Sequence, residues 1–68
     1  MNEIIFIVEE SKEGGFEASA LNNSIFTEAD DMESLKEAIK DAVVCHFEKK
    51  DMPKLIRLHL VKDELITV

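Results

Sequence analysis

The chain has 68 residues, with 15 acidic and 8 basic side chains and a formal net charge of -7. Hydrophobic residues make up 46% of it, which is too apolar for a disordered tail, and a chain of this length forms one domain. Residues 1-68 are therefore predicted to be a single domain. The acidic balance disfavours binding to nucleic acid, because phosphates repel a negative surface.

The single cysteine, Cys45, excludes an internal disulfide. The N-terminus lacks the basic start of a signal peptide, and no apolar run approaches the roughly 18 residues that a membrane span needs. We therefore expect a cytoplasmic protein that does not associate with a membrane.

The first third of the chain predicts a three-stranded antiparallel meander. Ile4-Ile5-Phe6-Ile7-Val8 is a β-branched and aromatic run typical of a strand. Gly14-Gly15 predicts a turn, because glycine adopts positive φ without steric cost, and the alternating segment Phe16-Glu17-Ala18-Ser19-Ala20 follows as a second strand. Asn22-Asn23 separates it from a third strand at Ser24-Ile25-Phe26-Thr27.

An amphipathic helix is predicted over about residues 31 to 48. Asp30 is the expected N-cap, and Glu33 three residues later completes a capping box. Pro53 closes the helical region. The apolar stripe recurs at three- and four-residue spacing and consists of Met32, Leu35, Ala38, Ile39, Ala42, Val43, His46 and Phe47.

A fourth strand is predicted after Pro53, in Leu55-Ile56-Arg57-Leu58-His59-Leu60-Val61. Its alternation places Ile56, Leu58 and Leu60 on one face, opposite Arg57 and His59. The pattern is compatible with a short fifth strand at Leu65-Ile66-Thr67-Val68 but does not require one. The expected fold class is α+β, in the order β-β-β-α-β(β), with the helix on one face of the sheet.

The first strand is apolar at both parities. Ile5 and Ile7 point one way, and Ile4, Phe6 and Val8 point the other. Because one helix covers only one face of a sheet, half of this strand needs another cover. A second copy of the chain supplies it most simply, so we expect a homodimer with Ile4, Phe6 and Val8 at its interface.

Catalytic and metal-binding patterns are absent from the sequence. The soft metal ligands of the chain are Cys45, His46 and His59, whereas a structural zinc site needs four. Adjacent residues of a helix, such as Cys45 and His46, also point about 100° apart. We expect no catalytic residue, no metal and no cofactor, and interpret Cys45 as a small buried thiol beside a partly exposed imidazole.

Charge is divided unevenly along the chain. Residues 1–48 carry twelve acidic and three basic side chains, whereas residues 49–62 hold five of the eight basic ones. Such polarity steers a basic partner onto the N-terminal part, or an acidic one towards the C-terminus. Acidic residues also crowd the start of the helix, but the glycine of a calcium loop is missing there, so we interpret them as a helix cap with solvated charge.

Three segments in order resemble the N-terminal domain of HicB-type antitoxins. They are Ile7-Val8-Glu9-Glu10-Ser11-Lys12-Glu13-Gly14-Gly15-Phe16-Glu17-Ala18, then Ser24-Ile25-Phe26-Thr27-Glu28-Ala29-Asp30, then Met32-Glu33-Ser34-Leu35-Lys36-Glu37-Ala38. The similarity covers residues 4 to 48 and is greatest to the small stand-alone members of that group. One departure is Leu21-Asn22-Asn23-Ser24, which replaces a Pro-rich stretch with a Gly-Cys pair.

The resemblance implies a β-β-β-α-β domain with a partial ribonuclease-H-like or double-stranded-RNA-binding-like shape that is not itself a nuclease. In complete antitoxins this domain binds and covers a small basic mRNA-cleaving toxin, while a separate C-terminal segment binds DNA. Residues 49–68 are too short for that segment, so DNA binding is not carried over.

Resemblance and charge together predict a non-enzymatic, antitoxin-like protein-binding module. Its expected contact surface is Glu9, Glu10, Glu13 and Glu17 with the first strand, and its expected partner is a small basic toxin. The alternative is a stand-alone homo-oligomeric protein with a structural or regulatory role. A small enzyme is disfavoured, because no nucleophile–base pair and no cofactor fingerprint are present.

Overall fold

The structure is a computed structural model that describes residues 2–62 and 64–68. Its elements in chain order are β1 (Glu3–Glu10), β2 (Phe16–Ala20), β3 (Phe26–Ala29), α1 (Met32–His46), a 3-10 turn (Lys49–Asp51) and β4 (Leu55–Val61). The predicted α+β class and the order β-β-β-α-β are confirmed. Within the described residues, no helix has the length and apolar character needed to cross a membrane.

The four strands form one mixed sheet in the order β3-β2-β1-β4. β1 pairs antiparallel with β2, and β2 pairs antiparallel with β3, so the predicted meander is confirmed. α1 then carries the chain back across one face, and β4 pairs parallel with β1. This crossover makes β1 an inner strand, although it comes first in the sequence.

The even-numbered side chains of β1 form the centre of the core. Ile4, Phe6 and Val8 are each no more than 3% exposed. They pack with the buried residues of α1 and its surroundings, which are Leu35, Ile39, Val43, Ala18 and Ile25. The assignment of Ile4, Phe6 and Val8 to a dimer interface is therefore wrong, because α1 already covers them.

α1 packs closest to β2 and β3 rather than over the middle of the sheet. The side chains that these strands turn towards it include Ala18 and Ala29, which are small enough to let the helix approach. The distance between α1 and the sheet increases from β2 towards β1, and the larger side chains of β1 fill that space. β4 consequently stays at the margin of the core, with Ile56 and Leu58 half-buried and Leu60 62% exposed.

The helix begins one residue later than the sequence predicts. Asp31, not Asp30, is the N-cap, and its carboxylate accepts a hydrogen bond from the Ser34 N–H at 2.7 Å. Each of the two aspartates precedes a polar residue by three positions, so the capping pattern alone does not separate them. Asp30 is instead used in the bend that leads out of β3.

The other end of the helix is also shorter than predicted. α1 ends at His46, and Phe47 takes extended backbone angles and donates its N–H to the Val43 oxygen. Phe47 thereby packs against the core, whereas His46 is exposed and does not belong to the apolar stripe.

Two strand boundaries also differ from the prediction. β3 starts at Phe26, because Ile25 lies in the preceding turn, where its oxygen accepts the Ala20 N–H at 2.9 Å. Residues 64–68 form no strand, so the fifth strand that the pattern left open is absent from this described segment. Leu65 and Ile66 are 100% and 84% exposed there.

The turn between β1 and β2 depends on two glycines with positive φ, +95° at Gly14 and +83° at Gly15. A Cβ at Gly14 would meet no atom within 4 Å, whereas one at Gly15 would lie 2.7 Å from the Ala29 oxygen. We expect Gly14→Ala to lower the free energy of unfolding by about 1–2 kcal/mol, from the left-handed conformation alone. Gly15→Ala should lower it further, because β3 must move.

Urea denaturation of both variants measures this difference. Equal losses for the two substitutions would contradict the close approach of Gly15 to the end of β3.

The Asp31 cap predicts a pH dependence of stability. The hydrogen bond from the Ser34 N–H holds the pKa of the Asp31 carboxyl below its usual value. A carboxyl with a depressed folded pKa contributes stability that is complete above its unfolded pKa and is lost as the pH falls through the folded pKa. Asp31→Ala should therefore lower the melting temperature at pH 7, and by progressively less below pH 4, the usual carboxyl range.

Asp30→Ala is the matched control, since it removes the same charge next to the cap. Thermal unfolding of both variants between neutral and acid pH tests the assignment. An equal effect of the two substitutions at pH 7 would argue against it.

Candidate functional site

Three glutamates form a row across the face of the sheet that α1 leaves uncovered. The register places Glu9 of β1 opposite Glu17 of β2, and Glu17 opposite Glu28 of β3. Because residues in register share a face, the three carboxylates project from the same side. Like charges directly opposite one another destabilise a sheet, so this row is tolerated at a cost in stability.

The remaining predicted contact residues lie around the same end of the sheet. Glu10 is the last residue of β1, and Glu13 lies in the turn, where its N–H bonds the Ser11 hydroxyl oxygen at 3.3 Å. Glu13 also lines a shallow polar cleft of about 460 Å³ that Glu28 and Asp30 share. We call Glu9, Glu10, Glu13, Glu17, Glu28 and Asp30 together the acidic end.

Few cations neutralise the acidic end. The ion pairs among the described residues are Lys40–Glu37 at 3.9 Å, Lys50–Glu48 at 3.8 Å and Arg57–Glu3. None of them includes a member of the acidic end, and Lys12 is the one basic residue between positions 9 and 30. The structure thus brings Glu9, Glu13 and Glu17 together with Glu28 and Asp30, whereas the alternation of β1 turns Glu10 to the helix side at the same end of the sheet.

Glu28 and Asp30 were not among the predicted contact residues, because they belong to a different strand and its exit, and Asp30 was assigned to the helix cap instead. The signal that finds Glu28 is register. Once Glu17 is placed on β2, the short Asn22-Asn23 connection brings Glu28 alongside it. Reading the two hairpins together, rather than one segment at a time, would have detected the row.

Below the acidic row, the uncovered face is apolar. Ile5 and Ile7 are half-buried, while Phe26 and Leu21 are 60% and 56% exposed. The Leu21 N–H donates to the Ile5 oxygen at 2.9 Å, so the backbones at these two positions lie side by side. An apolar area next to concentrated charge is typical of a surface that binds another protein.

An ion pair marks the β4 side of this face. The Arg57 guanidinium donates to the Glu3 carboxylate, which lowers the pKa of Glu3 and raises that of Arg57. Arg57 and its neighbour in the alternation, His59, are both exposed. The acidic row across β1–β3 therefore does not continue onto β4, whose side chains on this face include Arg57 and His59.

The soft ligands of the chain do not converge. Cys45 and His46 lie at the end of α1, whereas His59 lies on the uncovered face, on the other side of the sheet. Among residues 2–62 and 64–68, no three His, Cys, Asp or Glu side chains are placed to hold a metal ion. The interpretation of Cys45 as a buried thiol is wrong, because Cys45 is exposed.

A groove of about 670 Å³ runs between α1 and β4 on the helix side of the sheet. Its floor is Ile56 and Leu58 of β4, and its helical rim carries alternating charges from Glu33, Lys36, Glu37 and Lys40. The groove follows from the displacement of α1 towards β3. It contains no convergent set of catalytic side chains.

Fold and surface define this chain as a small α+β domain with a helix on one face of a mixed sheet and a row of glutamates on the other. It is 47% identical over 66 residues to a UPF0150 protein of Thermotoga maritima, covering 97% of this chain and 93% of that protein. A UPF0150 protein of Archaeoglobus fulgidus is 56% identical over 52 residues, covering 76% and 77% of the two chains. The chain belongs to the UPF0150 family.

Neither of the other two comparisons adds a relative. No family model matches the chain. No solved structure matches it.

The exposure of Cys45 predicts its reactivity. We expect the thiol to react with a disulfide reagent in the native protein at a rate close to that in the unfolded protein, because no unfolding is needed to reach it. Absorbance of the released thiolate measures both rates.

Val43→Cys in a Cys45→Ser background is the control, since Val43 is only 2% exposed on the same helix. This variant should react much more slowly in the native state. Protection of the native Cys45 by ten-fold or more would contradict its placement on the solvent side of α1.

Proposed function

We propose that the chain is a non-enzymatic, antitoxin-like protein-binding module that covers a small basic mRNA-cleaving protein. The observation that supports this proposal is the acidic end, whose row of glutamates crosses three strands without ion-pair partners among the described residues. A surface that the fold keeps charged at a cost in stability is a candidate for function. The resemblance to HicB-type antitoxins points to the same kind of partner.

The proposed partner follows from the electrostatics of that surface. A ribonuclease that cleaves mRNA carries a basic face that binds the phosphates of the RNA, and the glutamate row presents negative charge that is complementary to such a face. Opposite fields speed the encounter and set the orientation, while apolar contact with residues such as Ile7 and Phe26 supplies affinity. Occupying the basic face excludes mRNA, so inhibition needs no chemistry from this chain. The proposal places the protein in the cytoplasm, where its partner meets mRNA.

Capture and inhibition together test the proposal. The tagged chain is expressed in its own cells, and the proteins that it retains are identified by mass. We expect one small basic ribonuclease whose cleavage of mRNA stops when an equimolar amount of the chain is added. Retention of no basic protein, or cleavage that continues unchanged in the presence of the chain, would overturn the proposal.

Charge neutralisation in the row locates the contact. The triple variant Glu9→Gln, Glu17→Gln, Glu28→Gln should bind that ribonuclease at least ten-fold more weakly, and the difference should shrink as salt screens the surface. Removing two like-charge oppositions should also raise the free energy of unfolding, by about 0.2–1 kcal/mol for each pair. Isothermal titration and urea denaturation measure the two effects.

The control is Glu33→Gln, Glu37→Gln, Asp41→Asn, which makes the same change in net charge on the exposed side of α1. Its binding should stay within about two-fold of the wild-type value, because long-range steering alone is small at physiological salt. Equal weakening by both triple variants would show that net charge, not the acidic end, determines binding.

A second candidate function is that of a stand-alone homo-oligomeric protein with a structural or regulatory role. The exposed Phe26 and Leu21 on the uncovered face favour it, because self-association would bury them. The capture experiment separates the two candidates, because only the first predicts that the tagged chain retains a basic ribonuclease. A homo-oligomer that keeps no basic ribonuclease from its own cells supports the second.

A further inference from the structure

One edge of the sheet is open for pairing. β4 pairs with β1 on one side, and no described strand lies on its other side. The Leu55 N–H points towards β1, where it bonds the Asn2 oxygen at 2.9 Å. Because the N–H and C=O of one strand residue point to the same edge and those of the next residue to the opposite edge, the N–H and C=O groups of Ile56, Leu58 and Leu60 point outwards.

The two edges of this sheet differ in protection. Natural edge strands avoid further pairing by being short, or by carrying lysine, proline or inward charges. β3 has four residues, including Glu28, and so fits that description. β4 has seven residues and no proline, and its single charged side chain, Arg57, is paired with Glu3 on β1. The free edge of β4 is thus able to accept another strand.

The pattern of β4 is complementary to itself. Ile56, Leu58 and Leu60 lie on the helix-side face, in register with Ile4, Phe6 and Val8. We propose that β4 pairs antiparallel with β4 of a second copy, about a two-fold axis at Leu58. This register sets Leu58 opposite the partner's Leu58, and Ile56 opposite the partner's Leu60.

Backbone geometry agrees with that register. In an antiparallel ladder, the two residues of a hydrogen-bonded pair lie directly opposite one another, and the N–H and C=O of each point across the interface to the other. Ile56, Leu58 and Leu60 all point outwards, so the central pair and its two flanking pairs meet this condition. A shift by a single position would oppose an outward-pointing residue to an inward-pointing one and would break the ladder.

The apolar pattern of β4 favours a second copy as the occupant of this edge, because pairing covers Leu60 and extends the apolar floor of the groove. Charge opposes the pairing. Each chain carries a net charge of -7, and residues 49–62 around β4 carry five basic side chains and one acidic one, so like charges face one another at this edge.

This interface is independent of the proposed function. The glutamates at positions 17 and 28 lie on β2 and β3, away from the β4 edge, and stay exposed in the dimer. Such a dimer presents two acidic ends and joins two four-stranded sheets into one continuous sheet of eight strands.

Sedimentation equilibrium of the full chain tests the interface. We expect a dimer at micromolar concentration, and at least a ten-fold increase in its dissociation constant for Leu60→Lys. Leu60 is 62% exposed, so the substitution leaves the monomer folded, which circular dichroism verifies.

Two control variants separate this edge from other surfaces. Val44→Lys changes a residue of equal exposure on α1, and Phe26→Lys changes one of 60% exposure on the uncovered face. Both should dimerise like the wild type. A monomeric wild type at 100 µM, an unaffected Leu60→Lys, or loss of the dimer in Phe26→Lys would each overturn the proposal.

Cross-linking on the two-fold axis tests the register. Directly opposed residues of a hydrogen-bonded antiparallel pair have Cα atoms about 5.5 Å apart, a separation that a short thiol-specific bifunctional reagent bridges. Such a reagent should therefore join Leu58→Cys in a Cys45→Ser background into a covalent dimer, while Val44→Cys in the same background should stay monomeric under denaturing electrophoresis. Equal cross-linking of the two variants, or none of Leu58→Cys, would contradict the register.

Discussion

The packing of β1 against α1 is the contact on which the rest of this structure depends. Ile4, Phe6 and Val8 interlock with the stripe formed by Leu35, Ile39 and Val43, and all six are almost fully buried. In a chain of this length few other side chains can contribute a core. The turns and the two neighbouring strands of β1 are arranged around that contact.

The position of α1 gives the molecule its asymmetry. Small residues such as Ala18 and Ala29 allow the helix to approach β2 and β3, so it cannot also cover β4. The same displacement opens the groove above Ile56 and Leu58, next to the outer edge of β4, where no described strand pairs. The groove thus follows from the small side chains on the opposite half of the sheet.

The acidic end lowers the stability of the fold. Opposing Glu9 to Glu17 and Glu17 to Glu28 costs folding free energy, and two left-handed glycines hold the hairpin that enforces the first of these oppositions. A domain with a small core tolerates few such costs. Concentrating them at one end of the sheet fits the basic partner that we propose.

Local patterns were sufficient to predict the strands and the helix of this protein, because periodicity, turn glycines and charge placement are properties of neighbouring residues. Strands from Phe16 to Ala20 and from Leu55 to Val61 have the predicted limits, whereas the helix cap was one residue off, since Asp30 and Asp31 are equivalent in pattern. Glutamates at the hairpin were also predictable, because they are adjacent in the chain.

Tertiary structure alone decided which parity of β1 is covered. Both parities are apolar, so only the side on which α1 crosses distinguishes Ile4, Phe6 and Val8 from Ile5 and Ile7. It also decided that β4 lies beside β1, and that Glu28 joins the row. The physical reason is the same in each case: strand register and helix position are set by contacts between residues far apart in sequence, which no local pattern records.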